Sequence, residues 1–475
     1  MSLPYGLVPY ETMQDSTFGR LEFTQLEAYL ISTPHFQTLR NVKQLGVVPY
    51  YFPNATGSRF DHSLVVCYLA GECLYQIHRH HPHMEWFDEW YHWVRFAGLV
   101  HDWAHSVFSH LFDSFLELSP TGQKVAIEMH THESRGVLLL KHFLLKCPKE
   151  LKEDIMDYEE IIDIIADLIQ GVDTSKEEEK GGMKRYVTNN KGRRIPVPLW
   201  LFDVVANKST ELCVDKMAYL TVDSIGVGTP VDLEIARIFS HTRICPTTQH
   251  LIWSVKVAHN IAKVFSTRRQ MHAKVYTHPQ VMKYDILVMD LFEVLFRVFE
   301  FDKLLNEYNT NDHKWRLLLT DSMVWSLIQS VLFQPEWIKP VSVQDRTQLQ
   351  TIWNLFSNAS QISIVEDYET KETSMNYTSV NGTMSTERLQ EKNQDSIDEK
   401  SCLSSSKNYA IKTMHAKYSY ANSSFHPADK IRLYLHSDHL EDTILLRDAP
   451  AFQLFDMDVN AKPVYRTVVY RFPLK

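Results

Sequence analysis

Apolar residues recur at helical spacing over most of the chain, and this pattern limits the possible folds more than any other feature. Between about Leu21 and Gln329 they form segments such as HSLVVCYLAGECLYQI, WVRFAGLVHD, SRGVLLLKHFLLK and EEIIDIIADLIQ. Residues three or four positions apart share one face of an α-helix, so each segment predicts a helix with one buried face. Glycine is scarce, at 15 of 475 residues, and 44 % of the chain is hydrophobic. The sequence therefore predicts a mainly α protein with a large core.

Changes in composition divide the chain further. Residues 366–407 are rich in Ser, Thr, Asn, Glu and Lys and predict a low-complexity linker. After it, KIRLYLHSDHLEDTILL and PVYRTVVYRFPL alternate apolar and polar residues, which favours strands. The stretch KEEEKGGMKRYVTNNKGRRIPVP, from Lys176, predicts an exposed loop. We therefore expect an N-terminal segment over 1–20, a helical core over 21–335, a helical extension over 336–365, the linker over 366–407, and a small mixed α/β region over 408–475.

Charge and cysteine usage exclude some classes of function. The net charge is −9, so the chain does not indicate nucleic-acid binding, although a local basic groove stays open. Six cysteines show no CxxC spacing, and several lie in apolar stretches, which favours buried reduced thiols. We find neither a signal-peptide pattern nor an apolar run of about 18 residues. We therefore expect an intracellular protein, in the nucleus or the cytoplasm, with no membrane span.

Imidazoles and carboxylates crowd into the stretch FAGLVHDWAHSVFSHLFD, Phe96 to Asp113, where a helix would enter the core. Buried charges are costly unless they are paired or bind a cation. His101 and Asp102 offer mixed nitrogen and oxygen ligands, which suit Zn, Fe or Mn. His62 and Asp215, each at the start of a predicted helix, could complete a set of four ligands with open positions for water and a phosphate oxygen. Each of these residues taken alone could also be a helix cap or a satisfied core histidine.

Two polar stripes accompany this set. Asp215, Tyr219 and Asp223 are spaced i, i+4, i+8 and share one helix face. Arg268, His272 and Tyr276, in FSTRRQMHAKVYTH, have the same i, i+4, i+8 spacing. A face of Arg, His and Tyr is suited to contact phosphates and a base, and simple surface exposure is the alternative.

Five blocks of the sequence together resemble a known family. They are RNVKQLGVVPYYFPNATGSRFDHSLVVCYLAG, FAGLVHDWAHSVFSHLFD, THES, VDKMAYLTVD and FSTRRQMHAKVYTHPQV. Their order and gaps are similar to those of the HD-domain deoxynucleoside triphosphate (dNTP) triphosphohydrolases, over about Asp15 to Phe299. The likeness is greatest to the animal members, without their SAM domain. The resemblance implies an HD-domain phosphohydrolase core over 21–335.

The resemblance also implies roles for individual residues. The metal ligands would be His62, His101, Asp102 and Asp215. The catalytic group would be His132, oriented by Asp113 and helped by His105. The substrate would be bound by Gln44, Leu45, Arg59, His110, Lys216, Tyr219, Asp223, Arg268 and Tyr276. The cofactor would be a divalent transition metal, Zn, Fe or Mn, with Mg²⁺ on the substrate phosphates as a further candidate. A homo-oligomer, dimer or tetramer, is implied as well.

The chain departs from the family pattern in two places. Trp103 and Ala104 stand where the family usually has Leu-Gly, and a positive φ at Ala104 would cost about 1 kcal/mol. In the animal members a separate site binds an activating guanine nucleotide through an acid and a lysine. This chain has Ser32 and Glu11 at those positions, although Gln37 and Arg40 match. We therefore expect weak or absent activation by GTP.

The function implied is metal-dependent hydrolysis of a dNTP to deoxynucleoside and inorganic triphosphate. Two alternatives stay open. One is another HD phosphohydrolase acting on nucleoside monophosphates or cyclic nucleotides. The other is a non-catalytic nucleotide or nucleic-acid binder.

Overall fold

The computed structural model describes residues 9–152, 158–172, 185–188, 194–310, 312–333, 341–370, 409–418, 426–450 and 464–473. Its architecture is mainly α-helical, as predicted. The helices are α1 Gln25–Ser32, α2 Pro34–Gln37, α3 Arg59–His80, α4 Phe87–Val100, α5 His110–Leu118, α6 His132–Lys146, α7 Lys149–Lys152, α8 Tyr158–Gln170, α9 Val214–Gly226, α10 Ile235–Ser240, α11 Ala258–Met271, α12 Pro279–Phe299, α13 Phe301–Asn306, α14 Trp315–Leu318, α15 Asp321–Phe333 and α16 Val343–Ser357. A single π-helical turn, His272–Tyr276, follows α11.

The long helix α3 organises the core. It begins at a capping box, in which the Ser58 side chain accepts from the backbone N–H of Asp61 and the Asp61 side chain accepts from that of Ser58. Helices α4, α9 and α10 pack against α3. This packing places the first turn of α3, the end of α4 and the first turn of α9 next to one another, because all three meet at one end of the bundle.

A buried ion pair ties the N-terminal part to this core. Arg95 of α4 donates to both carboxylate oxygens of Glu27 in α1, at 2.8 and 2.7 Å. Both side chains are buried. Removal of one partner would leave a buried charge without compensation, which commonly costs about 3–5 kcal/mol.

Within the described residues, the strands form four small sheets. The bounds are β1 Glu11–Asp15, β2 Gly19–Phe23, β3 Arg185–Thr188, β4 Arg194–Val197, β5 Thr242–Ile244, β6 Leu251–Ser254, β7 Ser363–Thr370, β8 Tyr409–Tyr418, β9 Arg432–His436, β10 His439–Leu445 and β11 Val464–Pro473. Strands β1 and β2 pair as an antiparallel hairpin, and so do β3 and β4. A four-stranded sheet has the order β10-β9-β6-β5, and a three-stranded sheet has the order β7-β11-β8.

Strands from the C-terminal part extend the core. Strand β9 runs parallel to β6, with Trp253 opposite Leu433. Strand β11 lies between β7 and β8 and is antiparallel to both. The division of the chain into five parts stays a prediction, and most of the expected linker lies outside the described residues.

The expected exposed loop after Lys176 is wrong for two short segments. Strands β3 and β4 pair there, and Val187, Ile195 and Val197 are buried. Trp90 donates from its indole N–H to the carbonyl of Pro196 at 2.9 Å, which fixes the hairpin on α4. Alternating apolar residues therefore outweigh the polar composition of this stretch. The rest of it lies outside the described residues.

The five cysteines in the described part of the chain are buried thiols outside any disulfide there, as predicted: Cys67, Cys73, Cys147, Cys213 and Cys245. Cys402 lies outside it. Within the same part, we find no helix with the length and apolar character needed to cross a membrane.

Candidate functional site

Four predicted metal ligands meet where α3, α4 and α9 converge. The Nε2 atoms of His62, in the first turn of α3, and His101, directly after α4, lie 3.2 Å apart. Oδ2 of Asp102 lies 3.3 Å from each of these nitrogens. Oδ1 of Asp215, at the start of α9, lies 3.1 Å from Nε2 of His62 and 3.5 Å from that of His101.

The separations among His62, His101 and Asp102 fit a single metal ion, and Asp215 lies close to both imidazoles as a further candidate ligand. Ligand atoms held about 2.0–2.2 Å from one ion, at tetrahedral or octahedral angles, lie about 2.8–3.6 Å from one another. The ring of His101 is oriented by its other nitrogen, because Nδ1 lies 2.8 Å from the carbonyl oxygen of Gly98. Such a bond leaves Nε2 available to a metal. The residues present therefore match the divalent cation that the sequence predicts.

The electrostatics of this group also favour a cation. Burial lowers the pKa of His101, but Asp102 and Asp215 outweigh it and raise that pKa to about 10. Burial raises the pKa of Asp215, but hydrogen bonds to His101 and His62 bring it well below the usual range. Asp102 and Asp215 thus favour the protonated forms of His101 and His62. A divalent cation competes with protons for the same nitrogens and can supply that positive charge.

Asp102 joins this group to a second one. Its Oδ2 faces the metal ligands and accepts a hydrogen bond from Nη1 of Arg59. Its Oδ1 lies 3.4 Å from Nε2 of His105 and 3.6 Å from Nε2 of His132. One carboxylate therefore spans the distance between the predicted ligands and the predicted catalytic histidine.

The second group centres on His132 at the start of α6. Nδ1 of His132 lies 2.7 Å from Oδ2 of Asp113, whose Oδ1 accepts from Nη2 of Arg135. Burial raises the pKa of Asp113, but Arg135 and His132 hold it well below its usual range. Burial lowers the pKa of His132, but the bond to Asp113 outweighs it, so the pKa is raised. A permanent carboxylate at Nδ1 leaves Nε2 as the atom that can exchange a proton with substrate.

His105 and His110 border this group differently. The ring of His105 is fully buried and stacks on that of His132, with centroids 3.8 Å apart. Burial and the nearby Arg59 hold the pKa of His105 well below its usual range, so His105 is neutral. His110 is exposed, and its ring centroid lies 4.6 Å from that of His105.

The predicted phosphate-binding cations lie on α9 and α11. Arg268 is buried. Lys216 is also buried, and its ammonium donates to Oε2 of Glu211 at 3.0 Å. Burial lowers the pKa of Lys216 even though Glu211 opposes the shift. Lys216 is therefore held by an acid that the sequence analysis did not single out.

The predicted sugar and base contacts form a linked set. The hydroxyl of Tyr276 donates to Oδ2 of Asp223 at 2.9 Å. The ring of Tyr276 also contacts that of His272, with centroids 4.9 Å apart and planes at 89°. The predicted i, i+4, i+8 spacing after Arg268 does not hold as a regular α-helix, because residues 272–276 form a π turn. Tyr219 is half-buried on the neighbouring α9.

The segment QLG, Gln44 to Gly46, contains two further predicted substrate contacts. Nη2 of Arg59 donates to the carbonyl of Gln44 at 3.2 Å, and Leu45 packs against the core. Within the described residues, the buried Oε1 of Gln44 has no hydrogen-bond partner. Gly46 has φ +52°, and a Cβ there would lie 2.9 Å from the carbonyl oxygen of Phe108. Glycine therefore permits the close approach of this loop to the stretch that follows His105.

Ala104 does not adopt a positive φ, so the strain considered for that position does not arise. Positive φ falls instead on Phe108 and Ser109, at 56° and 57°. The backbone N–H of Phe108 donates to Asp321 at 2.8 Å, and the Ser109 hydroxyl donates to the carbonyl of Lys43 at 2.6 Å. These contacts fix the unusual conformation, because they replace bonds that a regular turn would make.

Trp103 also fits without strain. It is buried, and its indole donates to the carbonyl of Gly136 at 3.1 Å.

Sequence reasoning missed two further residues of this site. Arg135 fixes Asp113, and its signal was a basic residue one turn after His132 inside an otherwise apolar helix. Glu211 binds Lys216, but it lies outside any helical repeat, so the pattern could not have found it.

Of the expected regulatory positions, Ser32, Gln37 and Arg40 lie in and next to α1 and α2, and Glu11 begins strand β1. Nε of Arg40 donates to Gln37 at 2.9 Å, and its guanidinium lies 3.5 Å from the centroid of the Phe60 ring. Ser32 is exposed and donates to the carbonyl of Tyr29 at 2.7 Å.

The chain is similar to curated proteins of known name. It is 31 % identical to the deoxynucleoside triphosphate triphosphohydrolase SAMHD1 of Bos taurus, over 59 % of this chain and 47 % of that protein. It is 28 % identical to the SAMHD1 homolog of Dictyostelium discoideum, over 59 % of this chain and 48 % of that protein. The chain is a relative of the deoxynucleoside triphosphate triphosphohydrolases.

An HD domain-containing protein of Acanthamoeba polyphaga mimivirus is 25 % identical, over 68 % of this chain and 65 % of that protein. The chain spans about half the length of the curated triphosphohydrolases that it matches. No family model matches. The predicted resemblance is confirmed by these relatives.

Proposed function

We propose that this chain is a metal-dependent enzyme that hydrolyses a dNTP to deoxynucleoside and inorganic triphosphate. The observation that supports it most is the shared position of Asp102, between the four-ligand group and the His132–Asp113 pair. A cation held by His62, His101, Asp102 and Asp215 would supply an activated water and polarise a phosphate oxygen. The named activity of the relatives supports the same proposal.

The residues of the chain would divide the remaining work. In the overall reaction the oxygen of water bonds to the α-phosphorus, the bond from that phosphorus to O5′ breaks, and O5′ gains a proton. His132, protonated and anchored by Asp113, would donate that proton from Nε2. Arg268 and Lys216 would bind the triphosphate, and neutral His105 would donate a hydrogen bond without adding charge.

Sugar selection would depend on Leu45 and Tyr219. Both are half-buried side chains, one apolar and one aromatic. A 2′-hydroxyl packed against them would lose its hydrogen bonds to water, at a cost of about 1–3 kcal/mol. We therefore expect dATP to be hydrolysed roughly tenfold faster than ATP, or more.

The test is product analysis. The purified protein is incubated with each dNTP and Mn²⁺, and the products are separated by chromatography. Inorganic triphosphate with unphosphorylated deoxynucleoside is expected. Release of pyrophosphate or single phosphate would assign the chain to another class of HD phosphohydrolase. Binding without any product would favour a nucleotide binder.

The assembly and location expected from the sequence stay proposals. The resemblance implies a homo-dimer or homo-tetramer, which light scattering of the purified protein would measure. An intracellular location, nucleus or cytoplasm, would be tested by imaging the tagged full chain.

A further inference from the structure

A second cluster of imidazole and cationic side chains lies behind the loop that carries Asp102 and His105. It comprises His35 of α2, His142 of α6, and His313 and Arg316 at α14. The rings of His35 and His142 have centroids 5.8 Å apart, and those of His142 and His313 are 4.7 Å apart. None of these residues belongs to the site described above.

Arg316 carries the permanent charge of the cluster, and burial together with this nearby charge lowers the pKa of His35. The side chain of Arg316 is fully buried, and its Nε donates to the carbonyl of Trp103 at 2.8 Å. Its two terminal nitrogens, Nη1 and Nη2, have no hydrogen-bond partner among the residues that the structure describes. The same holds, within those residues, for the buried Nε2 of His35 and the buried Nδ1 of His313.

The charges around the guanidinium make this arrangement costly. Burial and the neighbouring Arg135 lower the pKa of Arg316 to about 9. Asp113 and the nearby backbone carbonyls are bound to Arg135, and no hydrogen bond from Arg316 to them is seen among the described residues. Asp312 is half-exposed and is bound to Lys146 and to His142. A buried guanidinium whose terminal nitrogens lack partners among the described residues favours an anion there, because a desolvated charge without a partner costs several kcal/mol.

We propose that this cluster binds a small oxyanion of the phosphate class. The planar fork of Arg316 would donate two parallel hydrogen bonds to two of its oxygens. His35 and His313 would each donate one bond from the ring nitrogen that lacks a partner, in the tautomer that carries hydrogen there. A cation is disfavoured by two adjacent guanidiniums. Full burial of the fork favours an anion without a nucleoside attached.

An anion bound here would act through one residue on the loop that carries Asp102 and His105. Arg316 holds the carbonyl of Trp103, the residue directly after Asp102. An anion that fixes the fork would therefore fix this part of the loop. Anion binding at this cluster does not depend on the proposed function. Only an effect of that binding on catalysis rests on the proposed function.

The test is thermal unfolding of the full chain in increasing inorganic phosphate, with chloride adjusted to keep the ionic strength constant. A ligand that binds only the native state raises the midpoint in proportion to the logarithm of its concentration above Kd. The wild type is expected to gain a few degrees. Arg316→Met should lose this gain, and Arg268→Met, which removes a predicted phosphate contact of the other site, should keep it.

Two further unfolding measurements test the same site. His313→Asn should reduce the gain even if Arg316→Met does not fold. The monophosphate dAMP should give no gain in Arg268→Met, because a nucleoside does not fit. Equal gains in wild type and Arg316→Met, or no gain in Arg268→Met, would overturn the site. A gain with dAMP in Arg268→Met would overturn the assignment to a small oxyanion.

Discussion

The Nδ1 atom of His132 lies 2.7 Å from Oδ2 of Asp113, and the other oxygen of that carboxylate is bound by Arg135. The arginine and the histidine thus share one buried acid. This geometry fixes the orientation of the imidazole ring and directs Nε2 toward Asp102, 3.6 Å away.

Asp113→Asn should lower kcat for dATP by roughly 10²-fold, because the amide no longer stabilises a protonated imidazole. KM should change little, since neither residue would hold the triphosphate alone. Steady-state kinetics would measure both constants, and Glu117→Gln on the same helix is the matched control. An unchanged kcat in folded Asp113→Asn would show that this pair does not act in proton transfer.

Removal of a metal ligand should remove the metal. His101→Ala deletes one nitrogen of the four-ligand group, and a site with three ligands binds far more weakly. His110→Ala, an exposed position outside the group, should retain the metal. Elemental analysis of purified, folded variants gives the ions bound per chain. Full metal content in His101→Ala would contradict the assigned ligands.

Glu211→Gln should tighten substrate binding. The carboxylate of Glu211 neutralises Lys216 and would repel a triphosphate. Removal of a repulsion worth about 1.4 kcal/mol would lower KM by roughly tenfold. Glu234→Gln, an exposed change, serves as the control. A raised KM would instead mean that Glu211 positions the ammonium for the phosphates.

The burial of Asp223 should be visible in the dependence of stability on pH. Burial raises its pKa to about 6, and the bond from Tyr276 only partly opposes this. The ordinary value, about 3.9, applies to the unfolded chain. The native state therefore binds more protons between these values, and this residue lowers the free energy of unfolding as pH rises from about 4 to 6.

Asp223→Asn should remove that contribution. The free energy of unfolding of the variant minus that of the wild type should therefore increase from about pH 4 to 6, by up to about 3 kcal/mol. Above this window the difference should stay constant. Urea unfolding at several pH values would measure it. Parallel curves for the two proteins would show that the carboxyl is solvated in the native state.

GTP should not activate this chain strongly. Ser32 has a neutral hydroxyl where the animal members have an acid, and a charge-assisted bond is about twice as strong as a neutral one. Gln37 and Arg40 are bonded to each other. Hydrolysis of dATP and the mass in solution would be measured with and without GTP. A large rate increase with GTP-driven assembly would contradict the expectation.

Local pattern by itself determined the helices and the ligand candidates. The apolar repeat in HSLVVCYLAGECLYQI identifies α3, since burial of one helical face needs only that spacing. His101 and Asp102 are adjacent in the chain, so any fold would place them together. His62 and Asp215 were added because each stands at the start of a predicted helix. The family resemblance then supplied the individual roles, and it rests on the order of five blocks rather than on periodicity.

Only the tertiary structure decided which charged groups that are distant in sequence pair with one another. Arg135 with Asp113, Glu211 with Lys216, and the free fork of Arg316 behind Trp103 depend on how helices pack. The positive φ of Phe108 and Ser109 is accompanied by contacts to Asp321 and Lys43. Sequence spacing can mark a residue such as Arg135, but it does not identify the partner, because hydrogen bonds and ion pairs are set by distances across the packed core rather than along the chain.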